Sequence, residues 1–206
     1  MKLYYFQGSC ALAPHITLEW AGADYTLEEV KRSDTRKEDF LTNVNPFGKV
    51  PVLELDDGRM LHQVNALQNW LAKEFADVQL GADDDEADYR MQNLMSYFNG
   101  DVHPAFTPFF LTFRYTDNED HQPAIKDAAA RELDFHMSNL DTHMVGRDWV
   151  IGNRRSILDP YLFVFCNWAR FLPKSINQYT NLNTFAVRMM ADDGVQAAMK
   201  AQGLIK

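Results

Sequence analysis

The chain reads Gly8-Ser9-Cys10-Ala11-Leu12-Ala13-Pro14 directly after a short apolar strand, Lys2 to Phe6. Pro14 belongs in the first turn of a helix, because a proline deeper in a helix clashes with the preceding carbonyl groups. The helix should therefore begin near Cys10 or Ala11, which places a thiol and a hydroxyl beside free backbone N–H groups. Such a position stabilises an anion, including a thiolate. The same residues are also consistent with a small buried cysteine behind a serine that caps the helix.

The composition is that of a globular protein with an acidic balance. The 206 residues make one large domain or two small ones, and the formal net charge of −9 argues against a nucleic-acid surface. No apolar run has the length of a membrane span, and the start of the chain leads into a strand rather than a signal peptide. The two cysteines, Cys10 and Cys166, form no CxxC pair. We therefore expect a reducing, cytoplasmic compartment.

Residues 1–80 alternate between strands and helices. The pattern predicts a strand before Gly8, a helix from Leu12 to Gly22, a strand from Tyr25 to Val30, a charged loop and short helix over 31–39, a hairpin over 52–61 with its turn at 56–58, and a helix from Asn65 to Phe75. Two strands around a helix, then a hairpin and a closing helix, is the plan of a thioredoxin-like unit. The predicted fold class is therefore α/β in this part of the chain.

Pro51 precedes the first strand of the hairpin, where it requires a fixed turn or a cis peptide bond. In a thioredoxin-like unit this turn lies close to the tip of the first helix. Ser9 and Cys10 should therefore face Val50 and Pro51. The unpaired backbone edge at this turn can hydrogen-bond an extended peptide.

The remainder of the chain is predicted to be all-helical. Gly81 and the acidic run at 83–86 mark a boundary, so we expect a first domain at 1–77, a linker at 78–86 and a helical domain at 87–206. Apolar residues recur at helical spacing and predict buried faces. They are Met91, Leu94, Met95 and Phe98 in one segment, and Leu133, His136, Met137, Leu140 and Met144 in another.

The segment Ser156 to Asp159 has the pattern of a helix-capping box, with Pro160 in the first turn that follows. Residues 161–169 carry no charge, which predicts a central buried helix. Cys166 within it is expected to be an inert structural thiol, and Asp159 a capping residue rather than a catalytic one.

Short motifs occur in order along nearly the whole chain. They are Met1 to Tyr5, Gly8 to Cys10 with Pro14 to Ile16, Asn45-Pro46 with Gly48 and Val50 to Leu53, Asp56 to Gly58 with Leu61, Val102-His103, Ser156 to Asp159 with Tyr161 to Phe163, and Gly203 to Ile205. Each motif alone is weak, but their combination is specific. The chain resembles the cytosolic glutathione S-transferases, and among them the bacterial β-class.

The resemblance implies a thioredoxin-like domain followed by an all-helical domain, in a homodimer that uses glutathione as co-substrate and no metal. It implies that Pro51 is cis and that the main chain of Val50 pairs with the cysteinyl part of glutathione. It places Cys10 next to the glutathione sulfur, where a mixed disulfide can form, with His103 reaching toward the same thiol. The residues alone would make His103 a helix-kink residue beside Pro104.

The resemblance has one departure, at the site for the γ-glutamyl end of glutathione. The family usually has an acidic residue there, followed by Ser or Gly, but this chain has Gln63 and Val64. Val64 can still donate its N–H, whereas Gln63 accepts from the amino group only as a neutral side chain. We expect glutathione binding to be weaker by about 1 kcal/mol, or about fivefold in Kd. Asn65 is a candidate to compensate.

Other site residues follow from the resemblance. The glycine end of glutathione is usually anchored by a basic residue after the second strand, and Arg32, Arg36 and Lys49 are the candidates. The electrophile should bind in a cleft between the domains. Several aromatic residues could line that cleft, and half of them are expected to be core instead: Phe106, Phe109, Phe110, Phe113 and Tyr115.

Three functions remain open at this point. The first is conjugation, in which a glutathione thiolate held near Ser9, Cys10 and His103 attacks a small hydrophobic electrophile, as in detoxification. The second is thiol–disulfide exchange through Cys10. The third is a non-catalytic binding or regulatory protein on the same fold, which the residues at 63 and 64 favour.

Overall fold

The computed structural model describes residues 1–206 and contains four strands and nine α-helices. The strands are β1 (Lys2–Tyr5), β2 (Thr26–Glu29), β3 (Val52–Glu54) and β4 (Met60–His62). The helices are α1 (Leu12–Ala21), α2 (Glu38–Asn43), α3 (Val64–Glu74), α4 (Asp85–Tyr97), α5 (His103–Phe110), α6 (Gln122–His143), α7 (Leu158–Ala169), α8 (Thr180–Met190) and α9 (Asp193–Ala201). No helix is both long enough and apolar enough to span a bilayer.

The strands form one sheet in the order β2-β1-β3-β4. Strand β1 is parallel to β2 and antiparallel to β3, which forms a hairpin with β4. This arrangement confirms the predicted thioredoxin-like unit, followed by helices alone.

Helix α1 begins at Leu12, as the predicted range has it, and Ala11 is the residue that caps its N-terminus. The residues before it form a turn, in which the Ser9 carbonyl accepts the Leu12 N–H at 3.3 Å and the Ser9 hydroxyl accepts the Ala11 N–H at 3.3 Å. The bond from the Leu12 N–H to the Ser9 carbonyl spans three residues rather than the four of an α-helix, so the regular helix starts only after this turn. The last helical residue is Ala21, and Gly22 stops the helix as predicted, with a left-handed φ of 60°.

Almost every side of α1 is buried. Leu18 packs with Leu3 and Leu53 of the sheet, while Ile16 and Trp20 belong to the large core formed with the helical half. Burying apolar surface contributes about 25 cal/mol per Å². The same helix therefore stabilises both halves of the molecule.

Buried polar groups on α1 and α3 also cross between the halves. Thr17 donates its hydroxyl to Oε1 of buried Gln68 at 2.8 Å, and Nε2 of Gln68 donates to the Ile157 carbonyl at 2.9 Å. Trp20 donates from Nε1 to Asp192 at 2.7 Å. The change from sheet to helices falls between α3 and α4, and we propose the domain division 1–77 and 87–206 with the linker 78–86.

The segment after α9 returns to α1 and to the loop before it. Nε2 of Gln202 donates to Nδ1 of buried His15 at 3.0 Å, and Gln7 donates to the Gly203 carbonyl at 2.7 Å. Nε2 of His15 therefore holds the ring proton and donates to the Tyr25 hydroxyl at 2.8 Å. Burial lowers the pKa of His15 to about 4, so the ring is neutral at physiological pH.

The predicted helical faces are buried in the structure. In α4 and the π-helical turn after it (Phe98–Val102), Met91, Met95 and Phe98 are buried and Leu94 is partly buried. The predicted residues of the second segment are all buried in or just after α6. The π-helical turn joins α4 to α5 without a break, so His103 lies just after an irregular turn.

Helix α7 is the predicted central helix, and Cys166 is buried within it. Oδ2 of Asp159 accepts the backbone N–H and the hydroxyl of Ser156 at 2.7 and 2.8 Å, and Oδ1 accepts the Val150 N–H at 2.8 Å. The predicted capping role of Asp159 is confirmed, and the same carboxylate also fixes the preceding loop.

We expect Asp159→Asn to lower the free energy of unfolding by about 2–4 kcal/mol, because an amide places N–H against N–H on one side. Ser156→Ala is the matched control. It removes only the hydroxyl contact and should cost about 1 kcal/mol. Urea denaturation measures both changes. A loss for Asp159→Asn no larger than that for Ser156→Ala would contradict this account.

Candidate functional site

A cleft of about 610 Å³ lies between the sheet half and the helical half. Its walls are the loop before α1, the turn before β3, the start of α3, and parts of α5 and α7. The cleft brings together all of the predicted site residues: Ser9, Cys10, Arg32, Lys49, Val50, Pro51, Gln63, Val64 and His103. The alternative candidates Arg36 and Asn65 do not line it.

Cys10 lies at the inner end of the cleft. Its side chain donates to the Val50 carbonyl at an S···O distance of 3.7 Å, and only 8% of the residue is exposed. Burial raises the pKa of Cys10 to about 12, against the smaller opposing effects of its own backbone N–H and the charge of Lys49. Of the two interpretations of Cys10 that the sequence leaves open, the structure therefore favours the buried, protonated cysteine over a thiolate stabilised by the helix end. A helix terminus contributes about 0.3–1 kcal/mol, which desolvation here exceeds.

His103 lies across the inner end of the cleft and is oriented by Tyr161. Nδ1 of His103 is 2.7 Å from the Tyr161 hydroxyl, and Tyr161 is fully buried. This contact is the hydroxyl's only hydrogen bond, so its proton points at Nδ1 and the ring carries its own proton on Nε2. Burial, and then the charge of Lys49, lowers the pKa of His103 to about 4. His103 is therefore a neutral hydrogen-bond donor.

Lys49 lines the cleft, and its charge acts on the two titratable groups at the inner end. Its positive charge lowers the pKa of both Cys10 and His103. Of the three predicted anchors for the glycine end, Lys49 is thus the one whose charge reaches the thiol. Arg32 stacks over the ring of Phe6 at 5.4 Å and also lines the cleft.

The turn before β3 presents an extended backbone edge to the cleft. The Val50–Pro51 peptide bond is cis, as the resemblance implies, and the Val50 N–H has no hydrogen-bond partner within the protein. Asn45 holds the turn, since its side chain donates to the Lys49 carbonyl at 2.7 Å. Gly48 has a φ of 60°, and a Cβ there would lie 2.8 Å from the Thr35 carbonyl oxygen. Only glycine fits at this position.

The other end of the cleft is formed by the start of α3. Gln63 directly precedes the helix with a φ of 69°, a conformation that is strained for a residue other than glycine. Its carbonyl accepts the Leu67 N–H at 2.9 Å, and Val64 is the first helical residue. The first N–H groups of a helix have no partner within it and attract anions.

An aromatic wall, formed by Phe106, Phe110, Trp168 and Phe171, borders the outer part of the cleft. Phe110 stacks on Phe106 at 6.0 Å and meets Trp168 and Phe171 edge-on at 6.2 Å each. Trp168 also donates from Nε1 to the Gly8 carbonyl at 2.9 Å, which fixes the loop before α1.

Three of the predicted aromatic lining residues do not border the cleft. Phe109 is buried on another face of α5, with Lys126 over its ring at 4.8 Å. Phe113 and Tyr115 follow α5, are exposed to solvent and do not line the cleft. Phe113 and Tyr115 follow the end of α5 at Phe110, so helical spacing no longer places them on the face of Phe106 and Phe110.

Sequence reasoning did not assign Tyr161, Trp168 or Arg114 to the site. Tyr161 and Trp168 were both placed in an all-apolar run expected to be core. They are seven residues apart and so share one face of α7, which is the signal that could have grouped them. Arg114 lies in the connection after α5, where no motif marked it.

A larger cavity, of about 920 Å³, lies between the start of α4 and the loop at residues 151–154. Its charged groups largely pair with one another. Arg154 binds Asp83 and the carbonyls of Gln79 and Gly81, and Arg90 pairs with Glu86 at 2.9 Å. These contacts hold the linker against the helical half, so we interpret this cavity as structural.

Comparison with known proteins gives consistent results. The family description "Glutathione S-transferase, N-terminal domain" matches residues 8–74. The glutathione S-transferase GstA of Escherichia coli O157:H7 is 35% identical over 208 residues, which cover 99% of this chain and 100% of GstA. Among solved structures, a sphingomonad glutathione S-transferase complexed with glutathione has 35% identity, full coverage of both chains and a TM-score of 0.87. The bacterial β-class enzyme of Sphingomonas chungbukensis has 34% identity, full coverage of both chains and a TM-score of 0.89.

The protonation state of Cys10 can be tested by alkylation. With a pKa of about 12, only about one Cys10 side chain in ten thousand is a thiolate at about pH 8. We expect iodoacetamide to modify Cys10 and Cys166 slowly in the folded protein and quickly in urea, as followed by peptide mass spectrometry. Rapid modification of Cys10 in the folded protein would contradict the assignment.

Proposed function

The chain belongs to the glutathione S-transferase family, and we propose that it conjugates glutathione to small hydrophobic electrophiles. One observation carries the proposal. A single cleft runs from Gln63 and Val64, past the backbone edge at Val50, to the inner end at Cys10, and continues to an aromatic wall. A tripeptide thiol and an aromatic acceptor can therefore meet in one space.

Each end of glutathione has a matching group in the cleft. The γ-glutamyl carboxylate fits the N–H of Val64 at the start of α3, and its amino group fits the Gln63 amide oxygen. The cysteinyl backbone fits the free N–H of Val50. Arg32 offers a guanidinium to the glycine carboxylate.

The inner end of the cleft favours the thiolate of glutathione. An unperturbed thiol has a pKa of about 8.5, so few thiols ionise at neutral pH. Donors that would stabilise the anion are the Ser9 hydroxyl, the Cys10 N–H and Nε2–H of His103, and Lys49 adds a positive charge. The thiolate attacks the electrophilic carbon, the C–S bond forms, and the leaving group departs with its electron pair.

The neutrality of Cys10 supports conjugation over exchange chemistry. A buried, protonated thiol is a poor nucleophile, so glutathione supplies the reacting sulfur and Cys10 lies beside it. We further propose a homodimer in the cytoplasm. The resemblance to the cytosolic glutathione S-transferases, which implies a homodimer, supports this proposal.

Binding and turnover with glutathione test the proposal. We expect retention on immobilised glutathione and conjugation of 1-chloro-2,4-dinitrobenzene, with Cys10→Ala keeping conjugation and losing any disulfide exchange. Loss of both activities in Cys10→Ala would point instead to a covalent role for Cys10. Absence of binding at roughly 10 mM glutathione would mean a binding free energy weaker than about −2.7 kcal/mol. That result would leave only a non-catalytic role.

Gln63→Glu should strengthen glutathione binding by about fivefold, because a carboxylate adds about 1 kcal/mol in its contact with the ammonium group. Gln79→Glu is the matched control, since Gln79 also has a left-handed φ, 57°, and lies outside the cleft. Calorimetric titration measures both Kd values. An equal effect of the two substitutions would show that position 63 does not contact the amino group.

A further inference from the structure

The charge of the cleft is opposite to that of the whole protein. The chain carries 29 acidic residues and a net charge of −9. None of the cleft-lining residues is Asp or Glu, whereas Arg32, Lys49 and Arg114 all line it. Three positive side chains in one acid-free cleft indicate that its ligands carry several negative charges.

Arg114 has no partner within the protein. Its guanidinium makes no ion pair and no hydrogen bond, and the residue is anchored through its backbone N–H, which donates to the Leu111 carbonyl at 3.0 Å. Arg32 likewise has no ion pair. Both side chains line the same cleft, and burial, and then the charge of Arg114, lowers the pKa of Arg32. Keeping two like charges together without a counterion is unfavourable, and an anion placed between or beside them relieves it.

Glutathione does not account for all of these charges under the proposed function. Its glycine carboxylate pairs with Arg32, and its γ-glutamyl carboxylate binds at the start of α3. The charge of Lys49 acts near the thiol. Arg114 remains, and it follows α5, the helix that contributes Phe106 and Phe110 to the aromatic wall. Arg114 is therefore the positive side chain of the cleft that is left for the second substrate.

We propose that the electrophile is an anionic aromatic compound, whose ring packs on the wall of Phe106, Phe110 and Trp168 and whose carboxylate pairs with Arg114. This inference rests on the proposed function and names its substrate class. A guanidinium binds a carboxylate through two parallel hydrogen bonds, so Arg114 both attracts and orients the acceptor.

A matched pair of acceptors tests the inference. In 4-chloro-3,5-dinitrobenzoate, the glutathione thiolate attacks the carbon that bears chlorine, the C–S bond forms, chloride leaves with the C–Cl electron pair, and the thiol proton passes to buffer. The methyl ester of the same compound loses chloride from the same carbon but lacks the negative charge. For each acceptor, kcat/KM is divided by the rate constant of the uncatalysed reaction with glutathione.

We expect the normalised preference for the acid over the ester to fall by about tenfold in Arg114→Gln, the equivalent of about 1.4 kcal/mol. Arg114→Lys should keep part of the preference, because the charge remains while the two-pronged geometry is lost. Arg131→Gln is the matched control. It removes the same charge from an exposed position on α6 outside the cleft, and it should leave the preference unchanged.

Calorimetry with 3,5-dinitrobenzoate, which has no chloride to lose, separates this inference from the proposed function. Weaker binding to Arg114→Gln than to the Arg131→Gln control supports the anion site, even if neither chlorinated acceptor is conjugated. Equal preference for acid and ester in all variants overturns the inference while conjugation stands. A rise in the KM for glutathione in Arg114→Gln, with the acid preference unchanged, overturns it by assigning Arg114 to the glycine carboxylate.

Discussion

The burial of α1 is the constraint on which the rest of the structure depends. A helix with apolar residues on nearly every side must be covered from opposite directions, here by the sheet and by α7 and α9. Its buried polar side chains, His15 and Thr17, find partners that belong to later parts of the chain. The position of α1 is therefore fixed only when both halves are packed. The cleft opens at the N-terminal end of this helix. The inner wall of the cleft is therefore formed by residues that also belong to the packed core.

The same packing decides the chemistry at Cys10. A helix end and a neighbouring Lys49 both favour a thiolate, and in an exposed loop they would prevail. The Val50 carbonyl and the surrounding core remove water from the sulfur, and desolvation outweighs the two favourable effects. Under the proposed function, the negative charge lies instead on a second sulfur, supplied by the tripeptide in the open cleft beside Cys10, where hydrogen-bond donors face it. Its donors are His103, oriented by Tyr161, and the backbone.

Much of the fold was predictable because its signals are local. Pro14 and Gly22 mark the bounds of α1, the Asp-Asp-Gly turn marks the hairpin, and the Ser156 to Asp159 pattern marks α7. The predicted start of α1 at Leu12 agrees with the structure, whereas the turn at Ser9 before it uses hydrogen bonds that leave no separate mark in the sequence. The ordered motifs identified the residues proposed to contact glutathione, and all of these residues line one cleft in the structure. The aromatic wall was only half predicted, since Trp168 and Phe171 reach it through the way α7 packs, and Arg114 through the path of an irregular connection.

The contacts of Gln7 and His15 also bear on how the protein is made. Their partners, Gly203 and Gln202, lie 196 and 187 positions further along the chain. During synthesis the sheet half leaves the ribosome first, yet the loop beside Cys10 lacks these restraints until the segment after α9 has also emerged. The sheet half, which carries Cys10, is thus translated early, but its contacts with residues 202 and 203 form last. A nascent chain would hold a formed sheet for some time before it could hold a formed cleft.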